Sequence, residues 1–329
     1  MTVTNNLEEL KPLLLSGSCA TIGNFDGVHL GHQILLNRVT QLAVQHNLPS
    51  VAVTFDPHPM QVLQGWTPPA ITTTEQKLSF LSQAGIEHIL CLQFNQTMAD
   101  LSPENFVYNY LVQGLKVKEL IIGHDYAFGK KRRGNFRLLQ ELGQKYNFQV
   151  QQIPPVYYNG EVISSSRIRK LVEQGRVAEV KPLLNRYYQV QGTVIEGAGR
   201  GGKLLGVPTA NLRPGNRLCP KPGVYAMWVE LRDKTLPAVA NVGYNPTFGT
   251  QALSLEVHIL DFQEDIYGIS LHLHFVQRIR DEVKFSGVEA LLEQIHKDIT
   301  AVREILRLPE NQLPEKASAN PEQINEHQS

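Results

Sequence analysis

The sequence predicts a layered α/β domain built on a parallel sheet, followed by a compact β-barrel or sandwich that ends in one helix. Three observations carry this. Short apolar runs alternate with helix-period segments through the first half of the 329 residues. Near Leu184-Asn185-Arg186-Tyr187-Tyr188 the pattern changes to strand after strand, separated by turns. From Gly287 to Leu306, Val288, Leu291, Leu292, Ile295, Ile299, Val302, Ile305 and Leu306 recur at helical spacing.

In chain order, the apolar run Leu13-Leu14-Leu15 is expected to lie in a strand that delivers the segment GNFDGVHLGH, residues 23–32, into a helix. That helix is marked by Ile34, Leu35, Leu36, Val39, Leu42 and Ala43. Val51 to Phe55 reads as a buried strand, as do Ile86 to Leu92 and Leu120 to Ile122. Thr74 to Ser82 and Pro103 to Gln113 read as helices, the second with proline in its first turn, where the missing N–H is harmless. Asn135 to Tyr146 adds a helix and Phe148 to Ile153 a strand. The segments GNFDGVHLGH, DPHP and GHDYAFG each follow a strand, the edge at which parallel sheets form ligand sites. Further on, strands are expected at Tyr188–Ile195, Gly223–Leu231, Ala238–Val242, Ser254–Leu260 and Ser270–Phe275. In the last of these, Leu271, Leu273 and Phe275 share one face. No internal repeat links the halves, and the polar, aromatic-free residues 309–329 are expected to be a disordered tail.

Composition narrows the class. The apolar fraction of 42% is ordinary for a globular chain, and a formal net charge of zero disfavours a dedicated nucleic-acid binder. Cys19, Cys91 and Cys219 are too scattered for a zinc site or disulfide framework. With neither a secretory leader nor a membrane-length apolar run, a cytoplasmic protein without a membrane partner is expected. A homo-oligomer and a monomer stay equally open.

Four segments carry the chemistry of the first half. His29 and His32 fall three apart on a first helical turn, beside backbone N–H groups that favour phosphate. His58 lies in the rigid loop DPHP, and Asp125 in GHDYAFGKKRRG. Ser164-Ser165-Ser166-Arg167-Ile168-Arg169 opens another helix, where hydroxyls and a helix N-terminus can hold phosphate and an arginine can clamp developing charge. Arg167 and Arg169 cannot share a helix face, and Arg169 is preferred for phosphate. The run Lys130 to Arg133 reads equally well as a solvated loop.

In this order the four segments closely resemble the adenylyltransferase module of the prokaryotic bifunctional riboflavin kinase/FAD synthetase family. His29-Leu30-Gly31-His32 resembles its HxGH signature, and Ser166 stands where threonine is usual. The resemblance implies an α/β nucleotidyltransferase domain with a Rossmann-like parallel sheet over residues 1–184. It implies adenylyl transfer from ATP to FMN, with FAD and pyrophosphate as products and no covalent intermediate. His29, His32 and Arg169 are then the catalytic candidates. Gly23, Phe25, Asp26, Gly31, Ser165 and Ser166 fall around the ATP phosphates, and His58 and Asp125 are candidates for orienting nucleotide or FMN.

Gly197-Ala198-Gly199-Arg200-Gly201-Gly202-Lys203 fits the spacing of two phosphate-loop motifs, yet Leu204 occupies the Ser/Thr position and no helical pattern follows. A Rossmann fingerprint and a conventional P-loop are both rejected. The longer run GAGRGGKLLGVPTANL instead resembles the riboflavin kinase motif of the same family. It is supported by PGVY at 222–225, NVG at 241–243, PTF at 246–248, LEVH at 255–258 and FVQRIR at 275–280. This resemblance implies a small closed β-barrel kinase domain with a C-terminal helix over residues 185–308, which phosphorylates the riboflavin 5′-hydroxyl. Gly199, Lys203, Gly206, Pro208, Thr209 and Asn211 are its nucleotide-binding candidates, Thr209 and Asn211 its Mg²⁺ candidates and Glu256 its general base. His258 shares a strand face with Glu256, and an ordinary hydrogen-bonded role is open to it. A monofunctional riboflavin kinase with an inactive first domain and a nonenzymatic flavin- or nucleotide-binding protein are the alternatives.

Overall fold

The computed structural model describes residues 1–196, 207–214, 218–245 and 252–313. They fall into two compact units. The first holds Met1–Val190 with residues 218–221, and the second the remaining described residues.

In the first unit, β1 (Thr2–Thr4), β2 (Ser18–Ile22), β3 (Ser50–Asp56), β4 (His88–Gln93), β5 (Val117–Gly123) and β6 (Gln149–Ile153) form a six-stranded sheet in the order β1-β4-β3-β2-β5-β6. Every pairing is parallel. Alternate residues of the strands feed two cores, as expected where helices cover both faces. Ala20, Ile22, Val51, Val53, Leu90, Leu92, Leu120 and Ile122 join one core, with Phe106, Leu111 and Leu139 from helical segments. Cys19, Ala52, Ile89 and Ile121 join the other, with Leu35, Leu36 and Val39 of the helix Leu30–His46 and Leu81 of the helix Thr74–Gln83. From β2 the chain moves to β3 on one side while β5 lies on the other. The carboxyl ends of β2 and β5 therefore flank a topological switch point, where open α/β sheets bind ligands.

Two local expectations need correction. The run Leu13-Leu14-Leu15 is not a strand: it sits at and after the 3₁₀ turn Lys11–Leu13, and only Leu14 is buried. Pro12 is the second residue of that turn, and Gly17, at φ +113°, redirects the chain into β2. The helix from Pro103 changes winding, with Val107–Gly114 a π-helix.

The second unit is a closed barrel in the order β10-β13-β12-β11-β14-β9. Its strands are β9 (Tyr188–Ile195), β10 (Ala210–Pro214), β11 (Gly223–Leu231), β12 (Lys234–Asn245), β13 (Ala252–Ile259) and β14 (Ser270–Arg280); a small hairpin, β7 (Tyr157–Tyr158) with β8 (Glu161–Val162), belongs to the first unit. Closure decides between the barrel and the sandwich and removes the free sheet edges. Leu212, Tyr225, Met227, Ala240, Val242, Leu255, Val257, Leu273 and Phe275 are buried at 3% exposure or less and fill the interior. The helix Val288–Arg307 packs on this unit through Val302 and Leu306, and Arg280 pairs with its buried Asp298 at 2.7 Å. Of the expected tail, residues 309–311 form a 3₁₀ turn and 314–329 lie outside the described residues.

Candidate active sites

The loop after β2 is set by its backbone. Phe25, Gly27 and Val28 adopt φ of 48°, 84° and 38°. Left-handed geometry is costly for Phe and Val, and here burial of both side chains at 1% exposure opposes that cost. The turn ends at His29, the extended N-cap of the helix Leu30–His46, whose Nδ1 accepts the His32 N–H at 3.3 Å. The His29 and His32 rings stack with centroids 3.6 Å apart and planes 16° from parallel, and Phe25 meets His32 edge-on at 5.3 Å. Gly31 makes room, because a Cβ there would stand 3.2 Å from the His29 ring.

Both histidines are held neutral. Burial lowers His29 from 6.5 to about 4, against the pull of the Asp125 and Asp26 carboxylates and with a push from Arg186. Burial, then His29 and Arg186, holds His32 well below its ordinary value. A neutral His29 that accepts at Nδ1 carries its proton on Nε2, the nitrogen left free to donate to an incoming anion. His32 Nδ1 is enclosed, with no hydrogen-bond partner among the described residues.

Phe25 and Asp26, expected among the phosphate contacts, turn inward instead. The Asp26 carboxylate accepts from the Ile71 N–H at 3.0 Å, the Thr72 N–H at 3.2 Å and the Thr72 hydroxyl at 3.3 Å. Arg169 Nη2 completes the cluster at 2.5 Å, and its Nε donates to the Pro69 carbonyl at 2.9 Å. Ser165 donates to the Asp26 carbonyl at 2.9 Å, so the helix Ser165–Glu173 is tied to the histidine loop through one residue. Ser166 is exposed on the first turn of that helix. Arg167 turns the other way, to Glu161 at 3.0 Å and the Tyr158 carbonyl at 3.1 Å, so the two arginines do separate.

His58 caps the short helix Pro59–Gln64, accepting the Met60 N–H at 3.2 Å, while its Nε2 lies 3.2 Å from the Asn24 carboxamide. The DPHP loop is thereby joined to the histidine loop. Asp125 is exposed just past β5, and Lys130 is engaged with Asp100 at 3.0 Å. Sequence reasoning missed Thr72, Lys77, whose buried ammonium donates to the Phe55 carbonyl at 3.0 Å, and Arg186. A local signal beside Thr72 and Lys77 is T-x-x-Q before an apolar-periodic run, which forms the capping box from Thr73 to Gln76.

In the barrel, strand register brings the candidates together. Asn211 of β10 and Asn241 of β12 both lie opposite Glu256 of β13, forming a lateral row on the face opposite the buried Leu255 and Val257. Ser254 and His258, on either side of Glu256, extend that face, and Thr209 lies just before β10, two residues from Asn211. The Ser254 hydroxyl donates to Glu256 at 3.4 Å, and Asn241 donates to Glu282, which the sequence had not singled out, at 3.2 Å. His258 Nδ1 lies 2.7 Å from the Pro208 carbonyl, the ordinary hydrogen-bonded role left open for it. Gly199, Lys203 and Gly206 lie outside the described residues. Among the described residues no group of three or more His, Cys, Asp or Glu side chains is placed to hold a metal ion.

Both halves gather hydrogen-bond donors and acceptors around open strand ends or an open strand face, an arrangement suited to moving a phosphorus-centred group between two bound small molecules. This is the architecture of a two-domain, nucleotide-dependent transferase. Residues 12–167 match the FAD synthetase family model and residues 184–306 the riboflavin kinase model. The bifunctional riboflavin kinase/FMN adenylyltransferase of Escherichia coli K12 is 35% identical over 94% of this chain and 99% of its own length. Its namesakes from Buchnera aphidicola (Schizaphis graminum) and Listeria monocytogenes are 36% and 39% identical, over 94% and 84% of this chain and 100% and 88% of their own lengths. A crystal structure of a Streptococcus pneumoniae protein named for macrolide efflux covers 92% of this chain and 98% of its own, with a TM-score of 0.82 and 31% identity. The chain belongs to the bifunctional riboflavin kinase/FMN adenylyltransferase family.

Proposed function

We propose that the barrel phosphorylates the riboflavin 5′-hydroxyl with ATP and that the α/β unit then transfers AMP from a second ATP to the FMN formed. In the second step an FMN phosphate oxygen attacks the α-phosphorus and pyrophosphate leaves, giving FAD. His29 and His32 donate to the ATP phosphates as negative charge builds there. The observation that carries this reading is the stacked, neutral histidine pair at the sheet's switch point, with His29 Nε2 free to donate. Gly23 and Gly31 keep that loop narrow, and Ser165, Ser166 and the remaining N–H groups of Arg169 border the same anion. Asp125, the carboxylate acting most strongly on His29, orients nucleotide or FMN, and His58 holds the adjoining loop.

In the kinase half Glu256 accepts the hydroxyl proton as the riboflavin oxygen attacks the γ-phosphorus. The Thr209 hydroxyl and Asn211 carboxamide are hard oxygen donors beside that carboxylate, and they suit Mg²⁺ that keeps most of its shell as water and phosphate oxygen. Held there, Mg²⁺ would neutralise charge on the triphosphate. Pro208 sets the turn into β10. Intact donors in both halves disfavour a kinase with an inactive first domain and a protein that only binds flavin. Riboflavin, FMN, FAD and ATP are the small-molecule partners. We assign both reactions to the cytoplasm, in keeping with three free cysteines, of which burial raises Cys19 and Cys219 to about 11. The test is pyrophosphate release from FMN plus ATP. His29→Ala and His32→Ala are expected to lose it by about a hundredfold or more, and parent rates in both folded variants would remove the assignment.

A further inference from the structure

Arg186 lies in the stretch matched by the riboflavin kinase model, yet it belongs to the first compact unit and its side chain is set into the histidine loop. Nη2 donates to the Gly27 carbonyl at 2.5 Å, and Nη1 donates to those of Val28 and Leu184 at 3.2 and 3.1 Å. The guanidinium lies 3.8 Å from the centre of the Phe80 ring. Gln33 donates to the same Val28 and Leu184 carbonyls at 2.9 and 2.7 Å, so the turn is held from two elements. Gly27 and Val28 are the two residues before His29. Their carbonyls are negative ends of peptide dipoles next to the place where phosphate is to bind, and a fork-shaped cation is suited to bridging them.

We propose that Arg186 is a positioning residue for adenylyl transfer: it fixes the Gly27–Val28 turn and offsets its carbonyl dipoles, so that His29 and His32 meet the phosphates in register. The inference rests on the assignment of His29 and His32 to those phosphates. It means that a residue outside the FAD synthetase match, which ends at 167, completes that site. Arg186 is itself buried, which lowers it to about 9, and its charge favours the neutral form of both histidines, while Asp125 and Asp26 act on His29 in the opposite sense.

The test uses the full-length chain with Arg186→Met and Arg186→Lys, following FMN adenylylation and riboflavin phosphorylation separately across the pH range of histidine titration. In Arg186→Met, kcat/KM for adenylylation is expected to fall by about ten- to a hundredfold, while phosphorylation keeps its parent rate. The acid limb of adenylylation moves to higher pH, because the histidines have lost a neighbouring cation. Arg186→Lys keeps the charge and the parent limb, with an intermediate kcat/KM, because an ammonium lacks the planar fork. Parent adenylylation in Arg186→Met, loss of both activities together, or a slower reaction with an unmoved acid limb would each overturn the proposal. His29→Ala separates the two claims. If it is inactive while Arg186→Met is normal, only the positioning role fails; if it adenylylates FMN normally, the phosphate assignment itself fails.

Discussion

Replacing Asp26 by Asn changes one atom and removes one charge at the point where three segments meet, the histidine loop, residues 69–72 and the helix Ser165–Glu173. The carboxylate accepts from Ile71, Thr72 and Arg169. A carboxamide must aim its NH₂ group at either Arg169 or Thr72, so a donor faces a donor whichever way it turns. Arg169, whose side chain is 12% exposed, loses its counter-ion. Removing one partner of a buried pair costs about 3–5 kcal/mol, and the residual exposure at Arg169 puts the expectation near the low end, about 3 kcal/mol. For a unit of this size that lowers the melting temperature by roughly 6–12 °C. Differential scanning calorimetry of the full chain should show the transition of the first unit falling by that amount while the barrel's stays in place. Below the melt, FMN adenylylation should drop and riboflavin phosphorylation should not. A melt superimposable on the parent's, with parent FAD formation, would refute the view that Asp26 ties the loop to the helix Ser165–Glu173.

Because His29 is lowered to about 4 from 6.5, unfolded chains bind a proton in that window that the folded chain does not. Stability therefore falls as pH drops from 6.5 toward 4, by up to about 3 kcal/mol, and levels off below. His29→Asn keeps a capping acceptor without titrating, so thermal melts at stepped pH should show a shallower slope; an equal slope would contradict the assignment. Bound triphosphate should raise His29 toward its ordinary value, seen as an upward shift of its imidazole titration by NMR, whereas an unmoved titration would place the phosphates elsewhere. Gly31→Ala puts a Cβ 3.2 Å from the His29 ring, so FAD formation should slow while the melt changes little; unaltered kinetics would show that the stack is not needed. Glu256→Gln should cut riboflavin phosphorylation by about a hundredfold or more, and a near-parent rate in the folded variant would exclude it as the base.

The layers were legible because alternation and helical period are local signals. Val51 to Phe55 and the helix Leu30–His46 declare themselves within a few residues. The histidine pair was legible for the same reason, since three-residue spacing on a first turn brings two rings together. Boundaries failed where a turn carried apolar residues, as at Leu13 to Leu15, of which Leu13 and Leu15 point outward. The strand β10 showed only as the alternation of Thr209 and Asn211 about Ala210, because Pro208 and Pro214 leave so short a segment. What the sequence hid were long-range roles. Asp26 looks like a phosphate-loop acid until Thr72 and Arg169, 46 and 143 residues away, are seen to occupy its oxygens. Arg186 sits in a stretch that reads only as a change of register, and its partners lie nearly 160 residues earlier. Side chains whose partners come from distant elements leave no periodic or spacing signal.

The most direct measurement supplies riboflavin, ATP and Mg²⁺ to the parent chain, Glu256→Gln and His29→Ala, and separates riboflavin, FMN and FAD by chromatography over time. The parent should form FMN and then FAD, Glu256→Gln should leave riboflavin unchanged yet convert supplied FMN to FAD, and His29→Ala should accumulate FMN alone. FAD formed from riboflavin at the parent rate in either folded variant, or both reactions lost together in each, would contradict two separable sites on one chain.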